Sequence, residues 1–71
     1  MKFPRKLADL DAAPWCQSYE PPEHENDDFQ IYINAEWLPA EMNETIAAIG
    51  PDLKGALSDL KSHFWPHIQA P

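Results

Sequence analysis

The sequence predicts an α+β fold: a small antiparallel β-hairpin or sheet packed on a C-terminal helical hairpin, in a single compact domain. Three observations carry this expectation. Residues 29–34, Phe-Gln-Ile-Tyr-Ile-Asn, alternate apolar and polar side chains with period two, the pattern of a half-buried strand. Leu53, Ala56, Leu57, Leu60 and Phe64 recur at helical spacing and make the longest amphipathic stripe in the chain. The chain has 71 residues, room for one small core and no second domain.

The elements follow in order. In residues 1–13, Leu7, Leu10 and Ala13 stand three apart, which predicts one or two helical turns ending before Pro14. Residues 15–38 form the strand region. Trp15, Gln17 and Tyr19 would share one side of an extended segment, with Cys16 and Ser18 on the other, and Pro21-Pro22 ends it because proline has no N–H to donate. Asn34-Ala35 is then read as a tight turn and Glu36-Trp37-Leu38 as a short returning strand. Residues 39–65 are read as two helices. Pro39 opens the first, Met42, Ile46 and Ile49 give its apolar face, and Gly50 ends it. Pro51 and Asp52 open the second, and Pro66 closes it, leaving residues 66–71 as a tail. Gly55 lowers helix propensity by about 1 kcal/mol relative to alanine unless it permits a close contact.

The net charge is −7, and its distribution is uneven. The basic residues are Lys2, Arg5, Lys6, Lys54 and Lys61. Between Leu7 and Leu53 there are none, against eleven carboxylates: Asp9, Asp11, Glu20, Glu23, Glu25, Asp27, Asp28, Glu36, Glu41, Glu44 and Asp52. Such a field repels nucleic acid and anionic membrane and attracts basic protein surfaces, including those built to hold nucleic acid. No apolar run approaches the roughly 20 residues needed to span a bilayer. The charged Leu7–Asp11 stretch does not follow Lys2, Arg5 and Lys6 as a signal peptide would. Cys16 is the only cysteine, so no intrachain disulfide forms, and a cytoplasmic setting is expected. Asn43-Glu44-Thr45 matches a glycosylation sequon, which without secretion is read as chance.

Catalytic and metal chemistry find little support. His63 and His67 stand four apart and could join Cys16 and His24 as metal ligands, but Pro66 interrupts the helix between them. A catalytic Cys16 needs nearby positive charge, and its surroundings are acidic. Glu23, Glu25, Asp27 and Asp28 could hold an acid–base pair or a cation, yet a proline-flanked loop is wet and lacks the glycine of an EF-hand. No catalytic residue, metal site or cofactor is therefore assigned.

The acids and aromatics favour binding instead. Trp15, Tyr19, Phe29, Tyr32, Trp37, Phe64 and Trp65 exceed what so small a core can enclose, and exposed aromatics beside acids act as contact anchors. The expected partner-binding residues are Glu20, Glu23, Glu25, Asp27, Asp28, Tyr32, Glu36, Glu41 and Glu44. The expected function is a small acidic non-enzymatic inhibitor of phage or mobile-element type. Its specific form is a DNA mimic that blocks a basic nucleic-acid-binding surface without touching nucleic acid or membrane. In size and charge the chain resembles phage-encoded inhibitors such as the anti-CRISPR proteins, a likeness of type that rests on no motif. The alternatives are an oligomerisation or regulatory subunit, with Leu53, Leu57, Leu60 and Phe64 facing a second copy or a larger protein, and a small metal-binding protein.

Overall fold

The computed structural model describes residues 2–42 and 46–71. A three-stranded antiparallel sheet is built from β1 (Cys16–Glu20), β2 (Phe29–Ile33) and β3 (Ala47–Gly50), with β2 in the middle. Helix α1 (Leu7–Ala12) precedes the sheet and α2 (Leu53–Asp59) follows it. Beyond α2 the chain continues through a wide π-turn, Leu60–Phe64, and a tight 3₁₀ turn, Trp65–His67, so the helical segment spans 15 residues. The radius of gyration, 11.4 Å, matches the roughly 11 Å of a compact chain of this length. The α+β class and the single small domain are thus as the sequence predicts.

The alternation in β2 works as expected. Phe29, Ile31 and Ile33 are buried, while Gln30 and Tyr32 are only half-buried on the outer face. Helix α2 covers the inner face, where Ile31, Ile33, Ala48, Ala56, Leu60 and Phe64 meet. Leu10, Trp15, Leu38 and Ile68 extend this core around the sheet's end. Asp52 caps α2, its Oδ1 accepting the Gly55 N–H at 2.7 Å. The π-turn has a cause in Pro66, whose ring would meet the Ser62 carbonyl in a regular α-turn and whose nitrogen carries no proton. The Trp65 N–H instead reaches the Leu60 carbonyl.

Four expectations are corrected. The first helix of the anticipated helical hairpin is not formed where it can be described: Ala40–Met42 is a 3₁₀ turn and Ala47–Gly50 is β3. The i, i+4, i+7 spacing of Met42, Ile46 and Ile49 was a coincidence of pattern. The outward groups of β2 need a partner, and β3 supplies it, with the Ile33 N–H reaching the Ile46 carbonyl at 2.8 Å. Gly50 accordingly closes a strand rather than a helix.

Glu36-Trp37-Leu38 is likewise not a returning strand. Ala35–Trp37 forms a 3₁₀ turn, closed by Trp37 N–H to Asn34 O at 2.9 Å. In β1 the register slips between Cys16 and Ser18, so Cys16 lies opposite inward-facing Ile33 while Ser18 lies opposite outward-facing Tyr32. The extra residue, Gln17, breaks the anticipated alternation and leaves Cys16 and Tyr19 on the inner side. Finally, residues 66–71 are not a free tail: Ile68 is 5% exposed and the Gln69 N–H donates to Trp37 O at 2.9 Å. Among the described residues no helix is long and apolar enough to cross a membrane.

Candidate functional site

The acidic loop between β1 and β2 is shaped rather than slack. The Asp27 N–H donates to the His24 carbonyl at 3.0 Å, and the His24 N–H donates to Asp27 Oδ2 at 3.2 Å. This closes a turn on itself, as short aspartate side chains do. Pro21 and Pro22 fix the approach from β1. The last rung of the hairpin sets Glu20 directly opposite Gln30.

Tyr19, Glu20, Pro21, Glu23, Asp27, Asp28 and Gln30 surround an open cleft of about 410 Å³ at this end of the sheet. Four of the nine expected binding carboxylates and aromatics, Glu20, Glu23, Asp27 and Asp28, therefore converge, and no basic side chain lines the cleft with them. All four are exposed. Neither member of a general acid–base pair is desolvated there, so the chemistry on offer is attraction of cations and acceptance of hydrogen bonds. Tyr19, stacked on Phe29 at 6.1 Å and 10°, forms one wall, and its hydroxyl donates to Asp11 Oδ1 at 2.9 Å. That bond to a carboxylate raises the tyrosine pKa, with burial and the Asp11 charge adding in the same direction.

The cleft runs onto the outer face of the sheet. Gln30 stands between Glu20 and Ile49 across the three strands, and Tyr32 stands between Ser18 and Ala47. The Tyr32 hydroxyl donates to Gln30 Oε1, tying the two positions together. Ile49 is 46% exposed, and together with half-buried Tyr32 it gives this face its apolar surface.

The other expected site residues do not join the cleft. Glu25 is exposed in the loop but does not line it. Glu36 borders a shallow hollow with Trp37 and His67. Glu41 lines a third one, about 490 Å³, with Met42, Ile49, Asp59, His63 and Phe64. Glu44 lies outside the described residues, as does the sequon 43–45. Among the described residues, Glu36 and Glu41 thus line hollows other than the one that gathers Glu20, Glu23, Asp27 and Asp28.

Asp59 was not anticipated. Its Oδ2 accepts the Ile49 N–H at 2.9 Å, which satisfies an outward donor of the edge strand β3, and its Oδ1 lies 2.6 Å from His63 Nδ1. The i, i+4 spacing of Asp59 and His63 was the signal that could have found it. The aromatics are also less available than expected. Trp15, Phe29 and Phe64 are buried, and Trp65 is held edge-on between Phe3 at 5.0 Å and Trp15 at 5.7 Å. Of the stripe Leu53, Leu57, Leu60 and Phe64, the last two are buried in the chain's own core and the first two are half-buried.

His63 is exposed beside Phe64, His67 is exposed, and no group of three or more ligand side chains converges among the described residues. Cys16 is half-buried. Its thiol pKa is raised by burial and then by the Asp11 carboxylate, with a backbone hydrogen bond at Ser18 acting in the opposite direction. Comparison with known proteins finds no matching family model, no matching curated sequence and no matching solved structure.

Proposed function

We propose that the protein is a non-enzymatic, protein-binding inhibitor that docks its acidic cleft on a basic surface of its partner. The observation that supports this reading is the convergence of Glu20, Glu23, Asp27 and Asp28 around one cleft that has no basic residue in its lining. The adjoining sheet face, with Tyr32 and Ile49, supplies apolar area beside the charges, the composition of a contact patch. Complementary fields of this kind speed encounter and fix register more than they add affinity. In its specific form the carboxylates stand in for the phosphates of nucleic acid in a basic groove, as in a DNA mimic. Its setting in this reading is cytoplasmic, where a single thiol stays reduced.

Calorimetric titration with an arginine-rich peptide tests the contact. Glu23→Lys with Asp28→Lys should weaken binding about tenfold or more. Glu36→Lys with Glu41→Lys changes net charge equally outside the cleft and should leave most of the affinity. Equal losses in both variants would mean that only net charge matters, and the cleft reading would fall. So would the absence of any binding at low ionic strength. Competition with duplex DNA for a basic nucleic-acid-binding domain then tests the mimicry itself.

A further inference from the structure

The acidic cleft has a counterpart of opposite sign. Lys2, Phe3, Arg5, Lys6, Pro14 and Trp15 are among the residues around an open cleft of about 540 Å³ at the N-terminal end of the fold. Its floor is fixed. Trp15 is 2% exposed, Pro4 is buried, and half-buried Phe3 is held by its edge-on contact with Trp65. Its rim is cationic, because Lys2, Arg5 and Lys6 are all exposed. Lys61 adds to it, its Nζ lying 5.9 Å from the centre of the Phe3 ring. Four of the chain's five basic residues therefore gather at one site, Lys54 being the exception. The one carboxylate in the lining, Asp9, is already engaged, its Oδ2 accepting the Arg5 N–H at 2.9 Å.

Among the described residues these cations have no carboxylate partner, Lys61 resting on the Phe3 ring instead. Among the described residues the one ion-pair contact is His63 with Asp59, and no lysine or arginine pairs with a carboxylate. The acidic cleft cannot serve them within one copy. Trp15, on the basic cleft, and Glu20, on the acidic one, flank the length of β1, about 17 Å of extended chain at 3.3 Å per residue. That is about twice the Debye length at physiological ionic strength, so the two poles barely feel each other through solvent.

We propose that the chain associates head to tail, the basic N-terminal cleft of one copy receiving the acidic 20–28 loop of a second. The loop suits the cleft in charge and in character, with five carboxylates beside the exposed rings of Pro21 and Pro22. Each contact neutralises charges that face outward in the free molecule. The net charge of −7 does not preclude the contact at physiological ionic strength, because the molecule is 35 Å long and charges set more than a Debye length apart are screened. A contact between two different surfaces repeats, so the products are rings or short open chains rather than a closed twofold dimer. This association does not depend on the inhibitor reading, but it competes with it for the same loop.

Sedimentation velocity of the full chain, across a range of concentrations and at two ionic strengths, tests it. Wild type should associate with increasing concentration at low salt and dissociate at about tenfold higher salt. Arg5→Glu with Lys6→Glu should be monomeric, weakened about tenfold or more, while still binding the arginine-rich peptide through its intact acidic cleft. Glu23→Lys with Glu25→Lys should be monomeric too. All four positions are exposed, so both variants should fold, and circular dichroism is the check on that. An equimolar mixture of the two should associate, because each retains the surface the other has lost. Wild type that stays monomeric at low salt overturns the proposal, as does a mixture that stays monomeric. Binding of phosphatidylserine vesicles or duplex DNA that requires Arg5 and Lys6, without self-association, would assign the cleft to another partner and overturn it equally.

Discussion

Gly50→Ala should be among the most damaging single-methyl additions this chain can receive. A Cβ at Gly50 would lie 2.2 Å from Ala56 N and 2.2 Å from Gly55 C, against 3.4 Å or more for ordinary contact. Relief requires a displacement of about 1.2 Å (3.4 − 2.2), and both sides are backbone. Gly50 sits opposite Phe29 in the sheet, and the Ala56 N–H is bonded to Asp52 O at 2.9 Å, so neither side can yield by changing rotamer. Moving β3 off α2 would open the layer where Ala48, Ala56 and Leu60 are fully buried. Overpacking costs about 1–3 kcal/mol and occasionally more, and backbone on both sides puts this case near 3 kcal/mol. A chain of 71 residues has roughly 4–11 kcal/mol in all. With a urea dependence of about 1 kcal/mol per molar, the unfolding midpoint should fall by about 3 M, or the protein should be unfolded outright. Gly55→Ala is the internal comparison. Its Cβ would lie 2.5 Å from the Pro51 ring, but it gains about 1 kcal/mol of helix propensity, so its loss should be smaller. An unchanged midpoint for Gly50→Ala, or a larger loss for Gly55→Ala, would refute the close crossing of β3 and α2.

Three further outcomes are expected. Asp59→Ala removes the acceptor for the edge-strand Ile49 N–H and should cost about 1–2 kcal/mol in urea unfolding, whereas Asp59→Asn, which keeps an acceptor oxygen, should cost less. The raised Cys16 pKa should make its thiol react with an aromatic disulfide reagent more slowly than free cysteine at mildly alkaline pH, and Asp11→Asn should speed the reaction. Cys16 and Tyr19 both have folded pKa values above their unfolded ones, so the folded state holds their protons more tightly. Their contribution is therefore complete below the unfolded values, about 8.5 and 10, and is lost as pH rises through the folded ones. Stability measured against pH should fall on the alkaline side, and less steeply in Tyr19→Phe.

Parts of this were legible in the sequence. The strand Phe29–Ile33, the short helix before Pro14 and the helix opened by Asp52 rest on local patterns and caps, and each forms where the pattern lies. The acidic loop was legible as composition, and its prolines and His24–Asp27 turn give it shape. Residues 47–50 were misread because Ile46 and Ile49 carry a helical spacing, and a window that short cannot register that β2 lacks a second neighbour. Asp59 was missed because its role depends on an edge strand that was itself unseen.

By itself, then, the sequence determined the class, the central strand, the capped C-terminal helix and the sign of the surface, because periodicity, proline and charge act over a few residues. The tertiary structure decided the rest. It made a strand of Ala47–Gly50 because the buried backbone of β2 had to be paired. It required glycine at 50 because α2 crosses there at backbone distance. It also gathered Glu20, Glu23, Asp27 and Asp28 at one end of β1 and the cations at the other, since facing in space is settled by packing across the fold rather than by neighbours in the chain.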